Sequence, residues 1–353
     1  MSSIFSLLLL LETEAIVFTE YQLVGSKMKV AVTGASGRIG NVVVRRLLES
    51  GHEVRVLKRN KSRALAGLDV EQIPGDLFNP SALTKLTKDN EVLIHLAALI
   101  SVQGGMNGKV HQTNMDGTRN VLETALQQGV RRVVCFSSID AFSQLPNDEK
   151  LDETRPLAFH SRMAYNRSKA QALHFAQQFA ATKPIEVIAL CPTSVLGPFD
   201  FGPSLSGQML IDFHRQKIPL MVPGGFDWCD VRDIAEAAVT ALHQGTSGEA
   251  YLLSGRYVTM VQLSELIGKV LGNSTPKLMT PDWLLRLGIP FMEIWAKMSG
   301  KQPLYTMEAL DTLRDGATQI SCDKAQRELA YSARALETTI ADAYQWYEQN
   351  SYL

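Results

Sequence analysis

The chain has 353 residues, 45% of them hydrophobic, and its 35 Lys and Arg balance 36 Asp and Glu to a formal net charge of −1. That is enough apolar sequence for one large core or two closely joined domains, and the even charge gives no pull toward nucleic acid or an acidic membrane surface. The four cysteines, Cys135, Cys191, Cys229 and Cys322, show no C-x-x-C spacing; they read as buried thiols of a reducing, cytoplasmic compartment, with neither a disulfide framework nor a metal site.

Residues 4–11 are an apolar run broken only by Ser6, and no Lys or Arg precedes Lys27. A signal peptide needs a basic start and a small-residue cleavage site, and a membrane span needs about 20 apolar residues. Residues 1–27 are therefore expected to form a disordered or loosely docked extension, and membrane contact is not expected. Met28, where strand-like sequence begins, is a candidate natural start.

From there strand-like and helix-like segments alternate. A β-branched run at 29–33 leads into Thr33-Gly34-Ala35-Ser36-Gly37-Arg38-Ile39-Gly40, and a helix at 41–49 follows with Val42, Val43 and Leu47 on one face and Gly51 as its stop. Strands are expected at 54–57, 92–97, 132–136 and 186–190, and helices at 81–88, at 118–128 and from Tyr165 to about Ala181. This rhythm predicts an α/β fold, a doubly wound parallel sheet with helices on both faces. After Pro192 the pattern weakens, with Pro and Gly dense to Gly225, a helix at 234–243, a strand at 251–253 and a mostly helical remainder. The expected division is a dinucleotide-binding core at 28–195, a substrate region at 196–230, a return to the core at 231–255, and a smaller helical substrate domain at 256–353, interleaved with the core. An apolar segment at 283–298 carries Arg286, Glu293 and Lys297, which favours a lid or core helix over an interfacial one.

The glycine-rich turn follows a strand and opens a helix, the context in which glycines let a backbone approach a pyrophosphate and the helix N-terminus faces its charge. Thr33, Gly34, Ser36, Gly37, Arg38, Ile39 and Gly40 are its candidate contacts. The second strand runs into Lys58-Arg59-Asn60-Lys61, with Arg63 beyond and no acid to repel a 2′-phosphate. NADP is thus favoured and NAD is the alternative, with Lys58, Arg59 and Arg38 as phosphate contacts. Asp76 and Leu77 are candidates to meet the adenine, although Asp76 equally suits a turn cap. Tyr165 and Lys169 are four apart on one helical face, and an ammonium held there would lower a phenol pKa that is otherwise about 10.

These motifs occur together with H-L-A-A at 95–98, N-M-D-G-T at 114–118, F-S-S at 136–138, Y-N-R-S-K at 165–169 and P-T-S-V-L-G-P at 192–198. In this combination, over 28–346, the chain resembles the extended short-chain dehydrogenase/reductase family, which includes NAD-dependent epimerases and dehydratases. The resemblance implies a Rossmann core and hydride transfer between nicotinamide and a carbonyl or secondary alcohol. It assigns Tyr165 as general acid/base, Lys169 as the ribose-binding partner that lowers the phenol pKa, and Ser138 as a hydrogen-bond donor to the substrate oxygen. Asn114 matches a proton-relay asparagine, for which a helix-bending role is an equal alternative. Ala97 and Ala98 match small residues lining the cofactor; Pro192, Thr193 and Ser194 match the loop on the nicotinamide carboxamide.

Nucleotide-sugar epimerases share these features but commonly carry asparagine where Ser194 stands. That difference, the run 223–233 and the segment 304–309 are more similar to the dihydroflavonol-reductase and 3β-hydroxysteroid-dehydrogenase branch. A non-catalytic dinucleotide sensor is the other alternative; such proteins usually lack the Tyr and Lys retained here. Phe159, His160, Met163, Met209 and Phe213 are candidate contacts for an apolar small-molecule carbonyl or alcohol substrate, with His160 a candidate second proton donor. The family often forms a homodimer through paired helices.

Overall fold

In the computed structural model the described residues are 27–101, 104–276, 278–281, 310 and 313–353. The readings made for 1–26, for the helix at 283–298 and for 304–309 lie outside them.

Strand β1 (Lys29–Thr33) is buried at four of its five positions, as expected of a strand covered on both faces. Val30 and Val32 point into one core and Ala31 into another, the two-residue alternation that lets one strand serve two layers. It pairs in parallel with β2 (Glu53–Lys58) on one side and β4 (Val92–His95) on the other. Beyond them lie β3 (Glu71–Pro74), β5 (Arg132–Phe136), β6 (Glu186–Pro192) and β9 (Ala250–Leu253), giving a seven-stranded parallel sheet in the order β3-β2-β1-β4-β5-β6-β9. Helices α1 (Arg38–Glu49) and α6 (Val231–Thr240) pack on one face. Helices α2 (Pro80–Thr87), α3 (Gly117–Gln127) and α4 (Ala164–Thr182) cover the other. This is the doubly wound arrangement the alternation of segments predicts.

The strand order turns back between β1 and β4, and in such sheets the crevice outside the carboxyl ends at this point is where ligands bind. All the motif residues that follow β1, β4, β5 and β6 emerge on that side.

A second sheet of three strands, β7 (Ser194–Leu196), β8 (Gly225–Asp230) and β10 (Arg256–Thr259), was not anticipated from the irregular sequence after Pro192. Its strands have three to six residues and come from distant parts of the chain, so no local periodicity announces them. With α5 (Leu205–His214), α7 (Met260–Leu271) and α9 (Leu336–Gln349) it encloses a separate apolar core. Asp230 caps α6 and binds Arg232, which reaches Asp342 on α9 at 2.6 Å, while Arg334 binds Asp233. These ion pairs dock the last helices against the parallel sheet. Among the described residues no helix is long and apolar enough to cross a membrane.

Packing leaves little room in the glycine turn. A Cβ on Gly40 would lie 2.1 Å from the Gly34 carbonyl oxygen, backbone that cannot yield without moving the turn. Gly40→Ala should lower stability by more than about 3 kcal/mol. Gly51→Ala, at φ +81° with nothing within 4 Å, should cost only about 1 kcal/mol. Urea midpoints of the two variants check the contrast.

Candidate active site

Gly34 adopts φ +74° and lies so close to β4's exit that a Cβ would stand 2.5 Å from the Ala97 nitrogen. At Gly37 a Cβ would meet only the Gly34 carbonyl, at 3.1 Å. The N-terminus of α1 has no side-chain cap and no acid in its first turn. An open glycine face over uncapped helix N–H groups fits a pyrophosphate. Ser36 is exposed beside it, while Ile39 packs into the core below.

Thr33 turns inward. Its hydroxyl meets His95 Nδ1 at 2.7 Å, and His95 Nε2 meets the Thr118 hydroxyl at 3.1 Å. Thr118 donates to the Asn114 carbonyl, so His95 carries its proton on Nε2 and accepts from Thr33. Burial, with the Lys169 charge nearby, pushes His95 down to about 3, and it is a neutral strut. The histidine of the H-L-A-A motif thus has a structural role.

Arg38 does not turn toward a ribose phosphate. It pairs with Asp200 at 2.6 Å and bonds the Ser204 and Ser206 hydroxyls, joining the glycine turn to the start of α5. The 12% exposure of its side chain explains why: a guanidinium buried to that degree needs a fixed counter-charge. Lys58 bonds Gln72, and Arg59 is exposed at the end of β2. Asp76 accepts from the Phe78 N–H at 2.8 Å, the turn cap allowed for above, and Leu77 is buried against Gly117.

After β4, Ala97 is half-buried and Ala98 exposed. Ahead of α3 the chain makes a π-helical turn, Gln112–Asp116, that presents Asn114. Asn114 Oδ1 accepts from Leu99 N–H at 2.7 Å, and Nδ2 donates to the Leu99 carbonyl and to Ser168 Oγ, both at 3.0 Å. Each of these groups is spoken for within the protein, so this geometry is that of a brace between the π turn and α4.

Tyr165 and Lys169 lie on α4 and Ser138 follows β5. Lys169 donates to the Phe136 carbonyl at 3.0 Å, and the Ser138 hydroxyl is near enough to the Tyr165 phenol to act on its pKa. Burial brings Lys169 down to about 8. The phenol departs from expectation. Burial first, then the Asp140 carboxylate, push Tyr165 above its usual range, and only the Ser138 bond opposes them. The spacing of Tyr165 and Lys169 had suggested a lowered phenol, but Lys169 spends its charge on Phe136 and loses part of it to desolvation.

Pro192 and Thr193 are buried at the end of β6; Thr193 donates to Asp227 at 2.6 Å, and Ser194 opens β7. Between this strand end and the loop before α4 lies a cavity of about 900 Å³. Ile139, Asp140, His160, Met163, Asn166, Thr193 and Asp227 are in its wall; Ser138 and Tyr165 are not, although their sequence neighbours Ile139 and Asn166 are. Phe159 does not join them: it is turned edge-on to His174, 5.5 Å away. Met209 and Phe213 pack into the second core because α5 directs its apolar face there. Asp140 and Asp227, two carboxyls raised by burial in one cavity, were missed; only their place two residues after the serine pair and within β8 could have flagged them.

A parallel sheet with an uncapped, acid-free helix N-terminus at its switch point defines a dinucleotide-binding enzyme. A family model for the NAD dependent epimerase/dehydratase family matches residues 30–254. The chain belongs to that family and is a nicotinamide-dependent oxidoreductase. It is 30% identical to Sterol demethylase protein B of Methylococcus capsulatus, over 92% of this chain and 100% of that protein. It is 29% identical to a putative dihydroflavonol 4-reductase of Synechocystis, over 91% of this chain and 95% of that one. The crystal structure of gox2253 matches with a TM-score of 0.79 at 30% identity, over 93% of this chain and 100% of that one.

Lys169 should make stability depend on pH. Its folded value near 8 lies below the 10.5 of an exposed lysine, so the folded state sheds the proton first and stability rises between the two. Lys169→Met should therefore stabilise by about 2–3 kcal/mol at neutral pH, allowing for the lost bond to Phe136, and the gain should shrink as pH climbs through that window. Denaturant titrations at a series of pH values measure it.

Proposed function

We propose that this protein interconverts a ketone and a secondary alcohol on a bulky apolar molecule, with NADPH preferred over NADH. The observation that carries the reading is that Ser138 follows β5 and Tyr165 and Lys169 lie on the adjoining α4, where their sequence neighbours Asp140, Met163 and Asn166 line the 900 Å³ cavity. The bound cofactor supplies or accepts the hydride. Tyr165 gives its proton to the carbonyl oxygen in reduction and recovers it in oxidation, and the Ser138 hydroxyl holds the same oxygen as its charge changes. Lys169 is anchored by Phe136 and keeps a cation beside the phenol's helical face.

The cavity's volume lies within the usual range for small-molecule sites, and Phe142, Leu157 and Phe226 give it apolar walls. Relatives named for a sterol and for a dihydroflavonol support a polycyclic substrate. The preference for NADPH rests on Lys58 and Arg59, with Lys61 and Arg63 nearby and no acid at the end of β2. The free cysteines support a cytoplasmic setting, and a homodimer is part of the same proposal.

NADPH oxidation measured with a panel of polycyclic ketones tests the reading. Tyr165→Phe should lose about 1,000-fold or more in kcat while NADPH fluorescence on binding is unchanged. Full turnover by that variant, or C4 epimerisation of UDP-sugars by the wild type, would overturn it. Arg59→Ala should raise KM for NADPH about 10-fold and leave KM for NADH unaltered; steady-state kinetics with both cofactors decide this.

A further inference from the structure

Ser138 has one proton to donate, and the structure shows two claims on it. Its Oγ lies 3.0 Å from Asp140 Oδ2 and accepts from the Asp140 N–H at 3.2 Å, and it is near enough to the Tyr165 phenol to lower its pKa. A carboxylate only accepts hydrogen bonds. With Asp140 ionised, Ser138 must donate to it, and only a lone pair then faces Tyr165 and the substrate oxygen. With Asp140 protonated, the carboxyl O–H donates to Ser138, whose own proton is released toward a carbonyl. Reduction needs the second arrangement, because a ketone oxygen can only accept; an alcohol O–H can donate and suits the first.

We propose, resting on the oxidoreductase reading above, that Asp140 is a positioning residue whose protonation state sets the direction of the Ser138 hydroxyl and so biases the site toward reduction or oxidation. The surroundings favour a proton on Asp140. Burial raises it, more than the Ser138 bond and the Lys169 charge lower it. Tyr165 and Lys169 face it from α4, and Asp227, His160, Arg162, Arg314 and Asp315 share the cavity wall. Asp227, itself raised by burial, adds no settled counter-charge.

The test compares Asp140→Leu with Asp140→Asn, whose carboxamide N–H can donate to Ser138 but cannot ionise. With NADPH and a ketone the wild type reduces, Asp140→Leu should lose about 100-fold in kcat with KM for NADPH unchanged. Asp140→Asn should recover most of that loss, and its kcat should no longer fall at the alkaline end where the wild type's does. Asp140→Leu within 3-fold of wild type (about 0.7 kcal/mol), or an Asp140→Asn pH profile that superimposes on the wild type's, overturns the proposal. If no ketone is turned over, the functional reading fails separately and infrared difference spectra still decide Asp140. The spectrum of wild type minus Asp140→Asn should contain a protonated-carboxyl stretch that disappears as pH is raised from about 5 to about 9. Its absence throughout that range overturns the proposal.

Discussion

Gly34 and the peptide joining Leu96 to Ala97 approach so closely at the switch point that no side chain fits between them. From this contact a line of hydrogen bonds runs through the molecule. Thr33 beneath the turn holds His95 at the end of β4, His95 holds Thr118, Thr118 bonds the Asn114 carbonyl, and the Asn114 amide bonds Ser168 on α4. Ser168 in turn donates to the Tyr165 carbonyl. The helix bearing Tyr165 and Lys169 is therefore located by the same backbone contact that shapes the glycine turn. Nearly all of these groups are buried, where an unmade bond costs more than a made one contributes, so the line is stiff.

The site is built against the ordinary preferences of its groups. A lysine and a carboxyl that are charged in water at neutral pH, and a phenol already neutral there, are held where burial disfavours the charged form. Desolvation is the first cause for all three, and the charges among them only adjust it. Holding the lysine and the carboxyl this way weakens the fold, a cost characteristic of functional sites. The neighbouring thiols Cys135 and Cys191 are pushed up to about 12 by the same burial and stay inert.

The second core meets the parallel sheet through charge as well as apolar contact. Arg38 with Asp200, Arg232 with Asp342 and Arg334 with Asp233 each join the two parts. The buried Arg38–Asp200 pair stabilises little, but removing one partner leaves an uncompensated charge, which makes it effective at selecting one docking geometry. Tyr347 also bonds Asp200, so the last helix shares the acid that holds the glycine turn.

The residues alone determined the parallel α/β core, the glycine turn and the Tyr165–Lys169 pair, because strand and helix periodicity and short motifs are local properties of the chain. β3, a mostly exposed edge strand ending in proline, is signalled only as a strand region ahead of Asp76, and the second sheet escaped because its strands are short and its pairings span distant segments. Arg38 reads as a phosphate ligand until Asp200, 162 residues away, is brought beside it. The lowered phenol expected from helical spacing becomes a raised one once burial and Asp140 are in place. Met209 and Phe213 look like substrate contacts until α5 turns them into a core. Only the tertiary structure could decide these points, since counter-charge, desolvation and cavity walls are set by which distant segments meet.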